Sequence, residues 1–203
     1  MRLYFTIAII ALLLYLTLWR PLVNRTPFPA ISSALTLVLL LVVGGFEARW
    51  LYFEHQASQA VAEVSGNKKG TLHCQRFSEA FLDGDVVHSG HVMYDAPNVA
   101  VVKYQECQTL FNWMQGDKKD FTADDIRALH VLTHETIHVG GNYDEASTEC
   151  VAVNNDSKMA QLLGASQQIG DGIAKVYFKT MWPYMPDNYK QPGCTLKATV
   201  PLP

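Results

Sequence analysis

The chain has 203 residues, 49% of them hydrophobic, and a formal net charge of −3. That balance leaves no basic stripe, which excludes nucleic acid as a partner, and the pairs Lys68-Lys69 and Lys118-Lys119 read as solvated surface. No internal repeat is present, and the hydrophobic residues are spread unevenly along the chain.

Two uncharged apolar blocks come first: Leu3 to Trp19, "LYFTIAIIALLLYLTLW", and Ala30 to Phe46, "AISSALTLVLLLVVGGF". Each is close to the ~20 apolar residues that a helix needs to cross the hydrocarbon core. The connector "RPLVNRTPFP" carries Pro21, Pro27 and Pro29, which break helix, so the two blocks read as a transmembrane hairpin. A cleaved signal peptide is the competing reading. It fits less well because the first run is long, no A-x-A-like site follows it, and a second apolar block comes directly after. Arg20 and Arg25 place the connector in the cytoplasm, which puts both termini and the rest of the chain outside it. Arg2 at the N-terminus pulls against that orientation.

Glu47 to Val64 reads as a helical extension of the second block, with Trp50, Tyr52 and Phe53 at the headgroup level. The composition of "SGNKKG" (Ser65 to Gly70) suggests a linker. The expected organisation is a membrane hairpin and juxtamembrane helix over residues 1–64, a linker over 65–70 and a small domain over 71–203. Within that domain "FSEAFLDG" (Phe77 to Gly84) reads as a short helix. "GHVMYD" and "NVAVVKY" read as a short β-hairpin around the turn signal "APN".

A well-marked helix follows in "FTADDIRALHVLTHETIHVGG": Thr122 is the N-cap, Asp124 and Asp125 favour the first turn, and Gly140-Gly141 is the stop. Further helices are expected from Asp144 to Leu163 and from about Ala165 to Met181, followed by an irregular tail. The fold class is therefore α+β, mainly α. All four cysteines lie after the membrane blocks, and an even number outside the cytoplasm implies disulfides. Of the three possible connectivities, Cys74–Cys107 with Cys150–Cys194 is preferred.

The chemistry centres on "HETIH". Residues i and i+4 share one helix face, so His134 and His138 can aim at a single cation. Zn2+ accepts neutral imidazoles, and two of them leave room for a third protein ligand and a water. Glu135, next to the first histidine, can act as general base on that water. His130 extends the stripe, but i to i+8 spans about 12 Å of helix axis, so it reads as a supporting residue. His88 and His91 in "HSGH" read as solvated loop residues. Tyr143, Tyr184 and Tyr189 are candidate donors to a developing oxyanion.

"HETIH" with the downstream "EASTECVA" resembles the zincin metallopeptidases that use two histidines and a glutamate. The tail "YMPDNYKQPGC" is similar to the ends of small actinobacterial and phage proteins bearing the same helix pair. The resemblance covers roughly the last hundred residues. It implies that Glu145 is the third zinc ligand and that Glu149 is a carboxylate holding a ligand histidine in place. Alternatives for the third ligand are Glu149 itself and Asp144. The latter follows from reading "HETIHVGGNYD" in the metzincin form, where Met181 or Met185 would have to supply the Met-turn. The gap after His138 is shorter than in most zincins of the glutamate type. The expected function is a membrane-anchored zinc metallopeptidase acting on a protein or peptide substrate at the cell envelope. The alternative is a catalytically inactive, disulfide-stabilised binding module tethered to the lipid bilayer, with structural zinc or none. An intramembrane protease is excluded because the motif lies among charges, well beyond both apolar blocks.

Overall fold

The computed structural model describes residues 11–19, 30–76, 79 and 89–197. It is mainly helical, with one small sheet and two disulfides. The chain divides into two compact units, Met1–Tyr52 and Phe53–Pro203.

In the first unit residues 11–14 are helical and Tyr15–Trp19 is a π-helical stretch. The rest of the first apolar block, and the connector with Arg20 and Arg25, lie outside the described residues. Helix α1 (Ala30–Ser65) contributes to both units. Among the described residues one span, Thr36–Ser65, is long and apolar enough to cross a membrane, with mean hydropathy 1.5. Leu37, Val38, Leu39, Leu41 and Val42 on it are exposed.

From Phe53 onward α1 changes character. Phe53, Ala57, Ala60 and Val61 are buried at helical spacing and form one wall of the second unit's core. The compact unit therefore starts inside this helix, earlier than the Ser65–Gly70 segment. That segment is a fixed turn: the Gly70 amide donates to the Asn67 carbonyl at 2.7 Å, and the Asn67 side chain donates to Asn98 Oδ1 at 2.7 Å and to the Val139 carbonyl at 3.3 Å.

The sheet has strands β1 (Thr71–Cys74), β2 (Gly90–Met93) and β3 (Ala96–Val102) in the order β1-β3-β2. β2 and β3 form the expected hairpin, but it turns at Tyr94-Asp95, and Ala96-Pro97-Asn98, expected as the turn, opens β3; β1 adds a parallel strand not expected from the sequence. Only four residues long, "TLHC" alternates exposed and buried over too short a span to be distinctive. β3 is the central strand, with Ala100, Val101 and Val102 buried. Helix α2 (Tyr104–Gln115) was likewise not anticipated; it buries Cys107, Leu110, Phe111 and Trp113. Phe111 meets Phe53 edge-to-face, with ring centroids 5.6 Å apart. Of the helix expected over Phe77–Gly84, only Glu79 is among the described residues.

Helices α3 (Ala123–Val139), α4 (Glu145–Leu162) and α5 (Gln167–Thr180) pack on one another, and α3 also packs on the sheet. The tail continues in two 3-10 turns, Trp182–Tyr184 and Asp187–Tyr189. Cys74 is bonded to Cys107, joining β1 to α2, and Cys150 to Cys194, joining α4 to the tail. These are the pairs preferred from the sequence. Asn154 reinforces the second tie: its amide donates to the Thr195 carbonyl at 3.1 Å and accepts from the Lys197 amide at 2.7 Å.

The Cys74–Cys107 bridge crosslinks residues 33 apart in sequence. Replacing both cysteines by serine should cost about 2–5 kcal/mol, read as a fall in the midpoint of thermal unfolding. An unchanged midpoint would mean that β1 and α2 are held by packing alone.

Candidate metal centre

The centre begins with the phase of α3. Thr122 and Asp125 form a reciprocal capping box: Thr122 Oγ1 accepts from the Asp125 amide at 3.2 Å, and Asp125 Oδ2 accepts from the Thr122 amide at 2.8 Å. From Ile126 the helix is buried against the sheet on one side and α4 and α5 on the other. His134, Glu135 and His138 are themselves almost fully buried. The helix stops at Gly140, and Gly141 turns the chain with φ +93°, a backbone region that favours glycine. This tight turn brings the first residue of α4, Glu145, back over the last turn of α3.

Hydrogen bonding determines the direction of both imidazoles. His138 Nδ1 lies 2.6 Å from the Asn142 carbonyl, which can only accept, so the proton is on Nδ1. His134 Nδ1 donates in the same way to Glu149 Oε2 at 3.0 Å. When both rings are neutral the Nε2 atoms therefore turn lone pairs toward one point; they are 3.0 Å apart. Glu145 Oε2 completes the triangle, 3.1 Å from His134 Nε2 and 3.6 Å from His138 Nε2. Three facing acceptors repel one another unless a cation or a proton lies between them. Ligands about 2.0–2.2 Å from a tetrahedral zinc stand about 3.3–3.6 Å apart; one separation matches that range, and the other two need to open by only about 0.2–0.3 Å. The Glu145 side chain is 40% exposed, so the open side of the triangle is its side.

A second group that could hold an ion overlaps the first: His130, His134 and Glu149. Here the hydrogens point inward. His130 Nε2 and His134 Nδ1 both lie 3.0 Å from Glu149 Oε2, Tyr177 donates to Glu149 Oε1 at 2.6 Å, and His130 Nδ1 lies 2.9 Å from Asp156 Oδ2. Tyr177 stacks on the His130 ring at 3.6 Å. Burial disfavours a charged His130, but the Asp156 and Glu149 carboxylates outweigh it and raise its pKa to about 10. His134 is also opposed by burial and raised to about 9, by Glu145 and Glu149. Burial works against a charged Glu149, yet its histidine partners hold its pKa far below the carboxylate range. Burial lowers the pKa of His138, and the hydrogen bond from His134 lowers that of Glu145.

The structure separates the sequence candidates. His134, His138 and Glu145 converge, and Glu149 stands behind His134. Asp144 is the N-cap of α4, accepting from the Ser147 amide at 2.8 Å, and belongs to neither group. Cys150 is in a disulfide. His88 lies outside the described residues. His91, read from sequence as a solvated loop residue, is instead on β2 and lines the cleft at the triangle's open side. The cleft, about 520 Å³, is also lined by Glu135, Tyr143 and Tyr189. Glu135 borders a further cavity of about 440 Å³ that contains Val131, Met181 and Met185. The Tyr189 ring lies 5.8 Å from that of His134, whereas Tyr184 is 86% exposed.

Asp156 and Tyr177 were not recognised from the sequence. Asp156 was accessible to a face argument, since Glu145, Glu149 and Asp156 share one stripe of α4 at i, i+4 and i+11. Tyr177 carries no comparable signal. No family model, curated protein or solved structure matches the chain.

The buried network sets a pH dependence. His130 has a folded pKa of about 10 against 6.5 unfolded. Its stabilisation is complete below about pH 6.5 and is lost as pH rises through about 10, with His134 adding the same sign up to about 9. The urea midpoint of the metal-free protein should fall across that window, and His130→Gln should remove most of the slope. A flat midpoint in the parent protein would contradict the charged His130.

Proposed function

We propose that this chain is a membrane-anchored, zinc-dependent metallopeptidase of the zincin type, with His134, His138 and Glu145 as the ligands and Glu135 as the general base. The observation that carries the reading is the pair of Nε2 lone pairs 3.0 Å apart, closed by Glu145 and opening on a cleft that Glu135 also borders. Two imidazoles and one carboxylate are a donor set suited to zinc with a position left for solvent. The overlapping His130 group is the weaker candidate, because its two ring nitrogens already donate to Glu149.

Zinc bound there would lower the pKa of a bound water to about 7 and polarise a substrate carbonyl. The protein's own residues do the rest. Glu149 and Asn142 keep both Nε2 atoms aimed at the ion, which also fixes the ring tautomers. Glu135 takes a proton from the attacking water and returns it to the leaving amine. Tyr189, whose pKa is raised by burial and by the surrounding carboxylates, stays protonated and donates to the oxygen that gains charge. In the metal-free protein a proton between His134 and Glu145 takes the cation's place, so metal uptake releases it and weakens as pH falls.

The membrane part of the proposal is a two-helix hairpin that holds the catalytic unit outside the cytoplasm. One apolar helix and two disulfides support it, since disulfides persist in oxidising compartments. The substrate is then a protein or peptide of the cell envelope.

Full-length protein in detergent should bind one zinc per chain. His134→Ala and His138→Ala should abolish binding, Glu145→Gln should weaken it, and Asp144→Ala should leave it intact. Glu135→Gln should retain the metal while peptide cleavage falls about 10²–10⁴-fold. Zinc without cleavage in the parent protein would leave the inactive binding module, and absence of zinc would remove both readings. Tyr189→Phe should lower kcat about 10²–10³-fold with the metal retained; an unchanged kcat would take Tyr189 out of the chemistry.

A further inference from the structure

We infer that Gly90, on the edge strand of the sheet, is a positioning residue that leaves room for the Glu135 carboxylate to stand in the site. The inference rests on the reading of Glu135 as general base, but the contact behind it does not. A Cβ at position 90 would lie 2.7 Å from Glu135 Cγ, 2.9 Å from Oε1 and 3.1 Å from the carboxyl carbon. All three are closer than, or at the limit of, what a methyl group tolerates, and all belong to one side chain.

Neither backbone has room to retreat. Gly90 is paired with Val102, and the next amide, that of Lys103, donates to the Ser89 carbonyl at 3.0 Å. Val102 is fully buried and also pairs with Cys74, which is bonded to Cys107 on α2. The strand behind Gly90 is thus fastened from both sides. On the facing side Glu135 is in the second-last turn of α3, flanked by the fully buried Leu132, Thr133 and Thr136. Shifting either element breaks ladder bonds or opens the core, whereas rotating the Glu135 side chain leaves both backbones in place. A methyl at 90 therefore displaces the carboxylate and leaves His134 and His138, which point to the α4 side and are held there by Glu149 and the Asn142 carbonyl, where they are. The glycine is explained by this approach alone, since its backbone lies in an ordinary strand.

The test is Gly90→Ala in the full-length chain. Zinc stoichiometry and the ring resonances of His134 and His138 should match the parent protein. The carboxyl carbon resonance of Glu135, assigned by its loss in Glu135→Gln, should move, and kcat should fall about 100-fold at nearly constant KM. Adding Gly90→Ala to Glu135→Gln should cost no further activity, because the two changes act through one group. Should Gly90→Ala fail to accumulate, Gly90→Ala/Glu135→Ala must recover the expression and thermal midpoint of Glu135→Ala alone, the vacated space accepting the methyl. An unmoved Glu135 resonance, equal disturbance of the histidine rings, or failure of that rescue overturns the proposal. A parent protein with no peptidase activity would sink the function proposed above while leaving the resonance shift and the rescue to decide the role of Gly90.

Discussion

Two ring nitrogens, Nε2 of His134 and of His138, held face to face by the partners of their Nδ1 hydrogens are the constraint on which the rest of this molecule depends. Left to itself a helix places His134 and His138 one turn apart, but it does not choose which nitrogen of each ring faces the other. A carboxylate on α4 and a backbone carbonyl in the following turn make that choice. Once both Nδ1 atoms are committed as donors, the remaining lone pairs, with the Glu145 oxygen, form a pocket of negative potential that only a cation or a proton relieves.

Maintaining that arrangement calls on parts of the chain far apart in sequence. Glu149 is buried and ionised, which is unfavourable unless each oxygen is satisfied. His130, His134 and Tyr177 supply the donors, and Asp156 in turn balances the charge on His130. The result is a chain of alternating charge between α3 and α4, with the Tyr177 hydroxyl of α5 as a neutral donor. In so dry a setting each partner matters more than it would at the surface, and leaving one carboxylate without its donor would be costly. The disulfides act at the periphery of this core: one ties β1 to α2 behind the sheet, and the other ties the tail to α4, close to where Tyr189 returns to the cleft.

Much of this was legible before any coordinates. Thr122, the two aspartates and the paired glycines delimit α3 because capping and turn chemistry are local. Cysteine count and placement pointed to the disulfides, and the apolar stretch that becomes α1 is apparent from composition. The β1 strand, the α2 helix and the start of the second unit at Phe53 were less visible. Each is a short or composite segment whose identity comes from what it packs against. Phe53 reads as an interfacial aromatic by composition, yet it is buried because α2 brings Phe111 to it.

The sequence by itself determined the histidine pair, the adjacent acid and the helix that carries them, since i and i+4 on one helix face is a property of the backbone. For the third position it offered Asp144, Glu145 and Glu149, and preferred Glu145 by resemblance alone. Those acids lie on the next element, and their distance from the histidines depends on the turn angle at Gly141 and on how α4 leans across α3. Tertiary structure made Asp144 a helix cap, brought Glu145 to the lone pairs and set Glu149 behind His134. It also decided what no spacing encodes: that the edge strand passes so near Glu135 that a side chain at position 90 would meet its carboxylate.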